Sequence, residues 1–235
     1  MSKPSPVRAV LFDLDGTLVD SEMYTDQAVS LVVEQFGLRN FVLPTSETRG
    51  RTWAYVAHAI RARTKITASV EELAAGMLAF WTKAAANVNP VPGAPQAVRA
   101  AADRQLKLGV VSSSPRFLID SFIEKLGVGD CIPAGARIGG DMVRNTKPDP
   151  EGYLLAARSL DVDPGETLVF EDSRAGLLAA QGAGMRSIFI TCCATDIAEN
   201  TRLATAVCTD FLKLPPRFWD DLVSGAVDLD GRSFT

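Results

Sequence analysis

The stretch VRAVLFDLDGTLVDSE, from Val7 to Glu22, decides the fold. Val10, Leu11 and Phe12 form a short apolar run bounded by polar and turn residues, which predicts a strand buried on both faces. Asp13 and Asp15 follow at its carboxyl end, the edge at which open α/β sheets place ligand sites. Gly16 then allows a sharp bend without a Cβ penalty. Two carboxylates this close repel, so the pair calls for a cation between them or a proton retained on one.

Downstream, three more polar groups stand at strand ends or in a restrained loop. Ser112, Ser113 and Ser114 end a second apolar strand and lead into a helix, so hydroxyls and unpaired helix N–H groups point one way. Such a trio is also an ordinary helix N-cap. Lys147 lies in NTKPDP, where two prolines restrain the backbone around it. Glu171 and Asp172 follow the apolar strand Leu168-Val169-Phe170 and precede helix-capping Ser173; alone they would serve a helix dipole. Three strand ends carrying Asp-x-Asp, Ser and Glu-Asp, with a restrained lysine, are much harder to explain as structural features alone. A second copy of the acidic pattern, Asp228-Leu229-Asp230-Gly231, has no strand before it and little chain after it, and is expected in a solvated tail.

Working outward, residues 20–86 carry helical spacing and no strand pattern. Met23, Ala28, Leu31, Val32 and Phe36 predict one helix, Trp53, Val56, Ala57 and Ile60 a second, and Leu73, Met77, Phe80 and Trp81 a third opened by the capping box Ser69-Val70-Glu71-Glu72. Asn87 to Gly93, rich in proline, reads as a hinge. Beyond it strands and helices alternate, including a weak strand near Cys131 to Ala134 and a helix capped at Asp149-Pro150. This pattern implies a parallel sheet with helices on both faces. The fold class is therefore α/β, with a core over 1–19 and 87–235 and an all-helical insert over 20–86. Phe211, Leu212, Leu214, Phe218 and Trp219 are expected to cover the core.

A net charge of −4 with no long basic block argues against nucleic acid and against a membrane surface. No apolar run reaches the length of a membrane span, and MSKPSPVR has no signal-peptide core. Four cysteines without a CxxC pair and a single histidine leave no Cys/His zinc pattern, so reduced thiols in a cytoplasmic monomer or homodimer are expected.

Asp13-Leu14-Asp15-Gly16-Thr17, Ser112, Lys147 and Glu171-Asp172 stand in the order of the four motifs of the haloacid dehalogenase-like superfamily, which the chain resembles. KPDPEGY and FEDSRAGLLAAQGAGM are similar to its helical (C1) cap subgroup, which includes phosphoglycolate phosphatase, sugar-phosphate phosphatases and β-phosphoglucomutase. The resemblance implies a Rossmann-like core and a Mg2+-dependent phosphatase acting on a small phosphorylated metabolite. It implies Asp13 as nucleophile, Asp15 as acid and base, Ser112 and Lys147 as phosphoryl-binding groups, and Mg2+ at Asp13, Asp15, Asp172 and Glu171. Thr17, Ser113 and Arg51 are the substrate-binding candidates, with His58 and Lys83 behind them. Asp15 favours phosphoryl transfer over carbon–halogen chemistry, because the family's dehalogenases lack that second aspartate. Thr25 occupies the position at which β-phosphoglucomutase carries a histidine, which favours a phosphatase over a sugar phosphomutase. A non-catalytic binding protein of the same fold is the remaining alternative.

Overall fold

The computed structural model describes residues 6–84 and 87–235. The first apolar run forms strand β1 (Ala9–Phe12), all of it buried. It is hydrogen-bonded in parallel on both sides, to β2 (Lys107–Val111) and β4 (Thr167–Glu171). Phe12 registers with Val110 on one side and Phe170 on the other, so the three strands end at one level. With β3 (Arg137–Ile138), β5 (Arg186–Ile190), β6 (Ala206–Cys208) and β7 (Arg232–Phe234) they form a parallel sheet in the order β3-β2-β1-β4-β5-β6-β7.

Alternation along β1 divides its side chains between two cores. Val10 and Phe12 pack with α4 (Ala94–Asp103), α5 (Arg116–Lys125) and the C-terminal segment. Ala9 and Leu11 pack against α6 (Glu151–Leu160) and α7 (Arg174–Gly182). Covering both faces excludes water from β1 and from most of β2, β4 and β5, which is why those stretches carry mainly apolar side chains. Rossmann-like α/β architecture follows.

The helical stretch forms α1 (Glu22–Glu34), α2 (Trp53–Arg63) and α3 (Val70–Ala84) around an apolar cluster of their own. Ser69 and Glu72 make the reciprocal bonds of the capping box, at 2.8 and 3.1 Å. The insert joins the sheet through two crossing segments: Asp20 N–H donates to the Asn89 carbonyl at 2.9 Å, and Val91 N–H to that of Leu18 at 3.0 Å. The expected junction at 86 and 87 falls partly outside the described residues, as does most of the N-terminal octapeptide.

Three expectations need correction. The expected strand at Cys131 to Ala134 is turn and 3-10 helix, and β3 forms later, at Arg137–Ile138. Pro133 offers no N–H to a ladder, and the Arg137 guanidinium engages the Ile132 and Gly129 carbonyls across the turn. Helix α1 is rotated from the expected face: Met23, Leu31 and Phe36 are 55, 43 and 45% exposed, while Thr25, Ala28, Val29, Val32 and Val33 are buried. The rotation also buries Glu22. The tail is not simply solvated. Leu229 is buried and Gly231 leads into β7, which pairs with β6.

Of the apolar residues expected to cover the core, Phe211, Phe218 and Trp219 are buried, whereas Leu212 is 69% exposed. Phe12 stacks on Phe170 at 5.4 Å, and Phe170 meets Phe211, Phe218 and Trp219 at 5.1 to 6.4 Å. Truncating Phe218 to Ala should cost about 3–5 kcal/mol, as expected for a fully buried aromatic. A urea titration reads that loss as a lower midpoint; an unchanged midpoint would show that the C-terminal segment adds nothing to the core.

Candidate active site

Because β1, β2 and β4 end together, the groups that follow them converge at one edge of the sheet. Lys147 reaches this edge from the loop before α6. Its ammonium lies 2.5 Å from Asp13 Oδ1 and 2.5 Å from Glu171 Oε1. It is also 5.1 Å from the ring centroid of Tyr153. Burial alone would lower the Lys147 pKa, but the two carboxylates outweigh it and raise it. The lysine is held as a cation.

Glu171 is fully engaged. Its Oε1 accepts from Lys147 and from the Tyr153 hydroxyl at 2.9 Å, and its Oε2 from Ser173 N–H at 3.0 Å and Oγ at 2.9 Å. Asp172 is the opposite case: it is buried, and neither carboxylate oxygen has a hydrogen-bond partner. Two bare carboxylate oxygens out of water are costly unless a cation meets them. Asp13, Glu171 and Asp172 each bring a ligand atom within 4.8 Å of the others. Burial raises the pKa of Asp13 and Asp172 well above the usual carboxylate range; for Asp172 the neighbouring carboxylates add to it, and for Asp13 Lys147 opposes it. One lysine stands against three buried carboxyl groups, and these residues fit a bound divalent cation, which would favour their ionised forms. A Cβ on Gly16 would lie 2.0 Å from Asp172 Oδ2, and its φ of +77° is open to glycine alone at little strain.

Asp15 faces hydroxyl groups. Ser21 Oγ donates to its Oδ1 at 2.7 Å, and Ser114 and Ser112 Oγ to its Oδ2 at 2.8 and 3.2 Å. Burial raises its pKa and these hydrogen bonds oppose the rise. Ser21 stands at the N-cap of α1 without capping it, because its hydroxyl is turned to Asp15.

The other candidates separate. Ser113 Oγ donates to the Gly50 carbonyl at 2.8 Å, tying the sheet edge to the helical insert. Arg51 Nη1 donates to the Lys147 carbonyl at 3.2 Å, and its guanidinium lies 4.5 Å above the Tyr55 ring. Thr17 is buried with an unpartnered hydroxyl and lines neither cavity. His58 and Lys83 are exposed and line neither cavity at the sheet edge. On the Asp15 side a cavity of about 30 Å³ is bounded by Glu22, Thr25, Thr48, Trp53 and Trp81 from the insert. A larger one of about 570 Å³ lies past Arg51, reaching Asp172, Arg49 and Arg174.

Sequence reasoning missed Glu22, Ser21 and Tyr153, and placed Ser114 in the serine trio without its bond to Asp15. Glu22 Oε2 lies 2.6 Å from Arg49 Nη1, an ion pair without a directed hydrogen bond. Burial raises the Glu22 pKa to about 8 against the pull of Arg49. An acid in the first turn of a helix normally serves the dipole, so nothing local marks it. Tyr153 had one signal: a tyrosine on a buried helix face requires a partner for its hydroxyl.

The family model for haloacid dehalogenase-like hydrolases matches residues 7–184. The chain belongs to that family. It is 35% identical over 197 residues to validoxylamine A 7'-phosphate phosphatase from Streptomyces hygroscopicus subsp. limoneus, covering 78% of this chain and 85% of the relative. It is 31% identical over 195 residues to hexitol phosphatase B of Escherichia coli K12, covering 81% and 86%. The solved β-phosphoglucomutase of Clostridium difficile shares the fold, with a TM-score of 0.77 at 22% identity, covering 93% of this chain and 97% of that one. As a member of the family the chain is an enzyme, a phosphoric monoester hydrolase.

Gly176 sets the position of Glu171, since a Cβ there would lie 1.6 Å from Glu171 Oε1. Gly176→Ala should displace the carboxylate and loosen Lys147, lowering kcat about tenfold or more while costing roughly 1–3 kcal/mol of stability as an overpacked site. Unaltered kcat in the folded variant would show that Glu171 does not position the lysine.

Proposed function

We propose that the protein is a Mg2+-dependent phosphatase that hydrolyses a small phosphorylated sugar or polyol through an aspartyl-phosphate on Asp13. The carrying observation is the buried Lys147 between Asp13 and Glu171, beside an Asp172 whose two oxygens have no partner. Mg2+ would be held by Asp13, Asp172 and the backbone carbonyl of Asp15, with Glu171 alongside, and when bound supplies positive charge against the phosphoryl oxygens.

Asp13 is the nucleophile: its carboxylate ends β1 facing the pocket, and Lys147 aims it and opposes the rise that burial imposes on its pKa. Attack on phosphorus gives the aspartyl-phosphate, and the leaving oxygen departs toward Asp15. Asp15 hands that oxygen a proton and later takes one from the attacking water. In this role it begins protonated, so one of the hydroxyls on it turns from donor to acceptor. Ser112 and Lys147 meet the phosphoryl oxygens. Phosphate monoester hydrolysis can demand ~10²¹-fold acceleration, whereas general acid–base catalysis supplies about 10²- to 10⁴-fold. Electrostatic stabilisation by charges already in place therefore carries most of the barrier reduction.

Residues 20–86 act as a cap domain over the core of 1–19 and 87–235. A cavity of about 30 Å³ admits a water molecule or two, so the cap swings away to admit substrate and returns to exclude water. The Ser113–Gly50, Arg51–Lys147 and Thr45–Asp196 bonds hold it down. Trp53 and Trp81 offer aromatic faces, and Glu22, Thr25 and Thr48 offer hydroxyl partners, a lining suited to a polyhydroxylated leaving group. The names of the two phosphatase relatives point to the same class. Thr25, lacking a titratable ring, gives no base at the position where the mutase carries its histidine.

Phosphate release over a panel of sugar phosphates, hexitol phosphates and phosphoglycolate tests the proposal. Turnover should require Mg2+, vanish with EDTA, and fall at least ~10³-fold in Asp13→Asn. No release from any compound by folded, Mg2+-supplied protein would sink it. Replacing Lys147 with Met should lower kcat by a similar factor, since the carboxylates and the phosphoryl group then lose their protein cation; retention of more than a tenth of wild-type kcat would remove Lys147 from its assigned role.

A further inference from the structure

The vicinal thiols Cys192 and Cys193 lie outside the site and serve no part of the mechanism. They follow β5 at the carboxyl edge of the sheet. Thr191 and Cys192 N–H donate to the Cys208 and Thr209 carbonyls at 3.0 and 2.9 Å, which anchors the loop. The two sulfurs are 3.5 Å apart and in hydrogen-bond contact. Cys192 is exposed and Cys193 half-buried, whereas Cys208 is buried with its thiol on the Asp210 carbonyl. Cys193 Sγ–H also donates to Asp20 Oδ1 at 3.4 Å. Asp20 belongs to the crossing segments through which the helical insert joins the sheet, its own N–H bonded to Asn89.

We propose that Cys192 and Cys193 are a two-electron oxidation site for hydroperoxides, closing to a vicinal disulfide that removes the Cys193 bond to Asp20. Cys192 is the attacking sulfur, being exposed. Its hydrogen bond with Cys193 pulls its pKa below the ordinary thiol value, and the same bond, together with burial, pushes Cys193 up. The Cys192 thiolate attacks an oxygen of ROOH, the O–O bond breaks, and the alkoxide leaves as ROH after taking a proton. Cys192 becomes a sulfenic acid. The Cys193 sulfur then attacks Cys192 Sγ, the S–O bond breaks, and hydroxide leaves as water with the Cys193 proton. Two thiols are oxidised by two electrons and one peroxide is reduced, with ROH and water as products. Asp20 loses its S–H donor, and the crossing segments lose one tie to the sheet.

The test treats the full chain with equimolar hydrogen peroxide, then combines thiol counting under denaturing conditions with peptide mapping. Two of the four thiols should disappear. The peptide holding Cys192 and Cys193 should lose the mass of two hydrogens, and dithiothreitol should restore it. Cys193→Ser should instead accumulate a sulfenic acid on Cys192 that dimedone labels. In the oxidised protein, amide exchange at residues 18–21 and 88–91 should quicken. Thiol loss confined to Cys131 or Cys208, a disulfide between two copies, or an intact Cys192–Cys193 peptide would each overturn the site. Unchanged exchange at both segments would overturn its connection to the hinge.

Discussion

The charge balance around Lys147 is the constraint on which the structure depends. Asp13, Glu171 and Asp172 are all buried at the carboxyl edge of the sheet, with one ammonium among them. Removing such ions from water costs several kcal/mol each even after relaxation. The fold offsets that cost unevenly. Glu171 receives four donors and Asp13 receives the lysine, while Asp172 receives none from the protein. The unpartnered oxygens of Asp172 fit a bound cation.

Much of the rest follows from bringing those groups together without clash. Parallel pairing on both sides of β1 brings three strand ends to one level, and burying both faces makes that level rigid. Gly16 and Gly176 leave the space that the Asp172 and Glu171 carboxylates fill. The aromatic cluster of Phe12, Phe170, Phe211 and Trp219 supports β1 and β4 from below, which ties the C-terminal segment to the geometry of the site.

The helical insert answers a different demand. Its loop at Arg49-Gly50-Arg51 stands between two cavities and bonds to the serine loop and to the Lys147 carbonyl. Those contacts are single hydrogen bonds, each worth about 0.5–1.5 kcal/mol net, and they stand beside the edge-on contact of Trp81 with Phe122 of α5 at 5.6 Å. Glu22 and Arg49 form a strongly buried charge pair that the insert adds beside the site.

Sheet, helical insert and motif positions were legible in the sequence because their signals are local. Apolar runs, turn residues and a capping box each lie within a few residues of one another, and Asp13, Ser112 and Glu171 are fixed by where a strand must end. What only the tertiary structure decided is which side chains meet from distant segments. The phase of α1 was misread because apolar residues lie on both sides of that short helix, and packing against α3, with Glu22 facing the site, selected one. Tyr153 on Glu171, Ser21 and Ser114 on Asp15, and Arg51 on the Lys147 carbonyl depend on register and crossing geometry between elements. Sequence spacing specifies the period and the end of an element. The choice of partner for each polar side chain is made when burial removes water as the alternative.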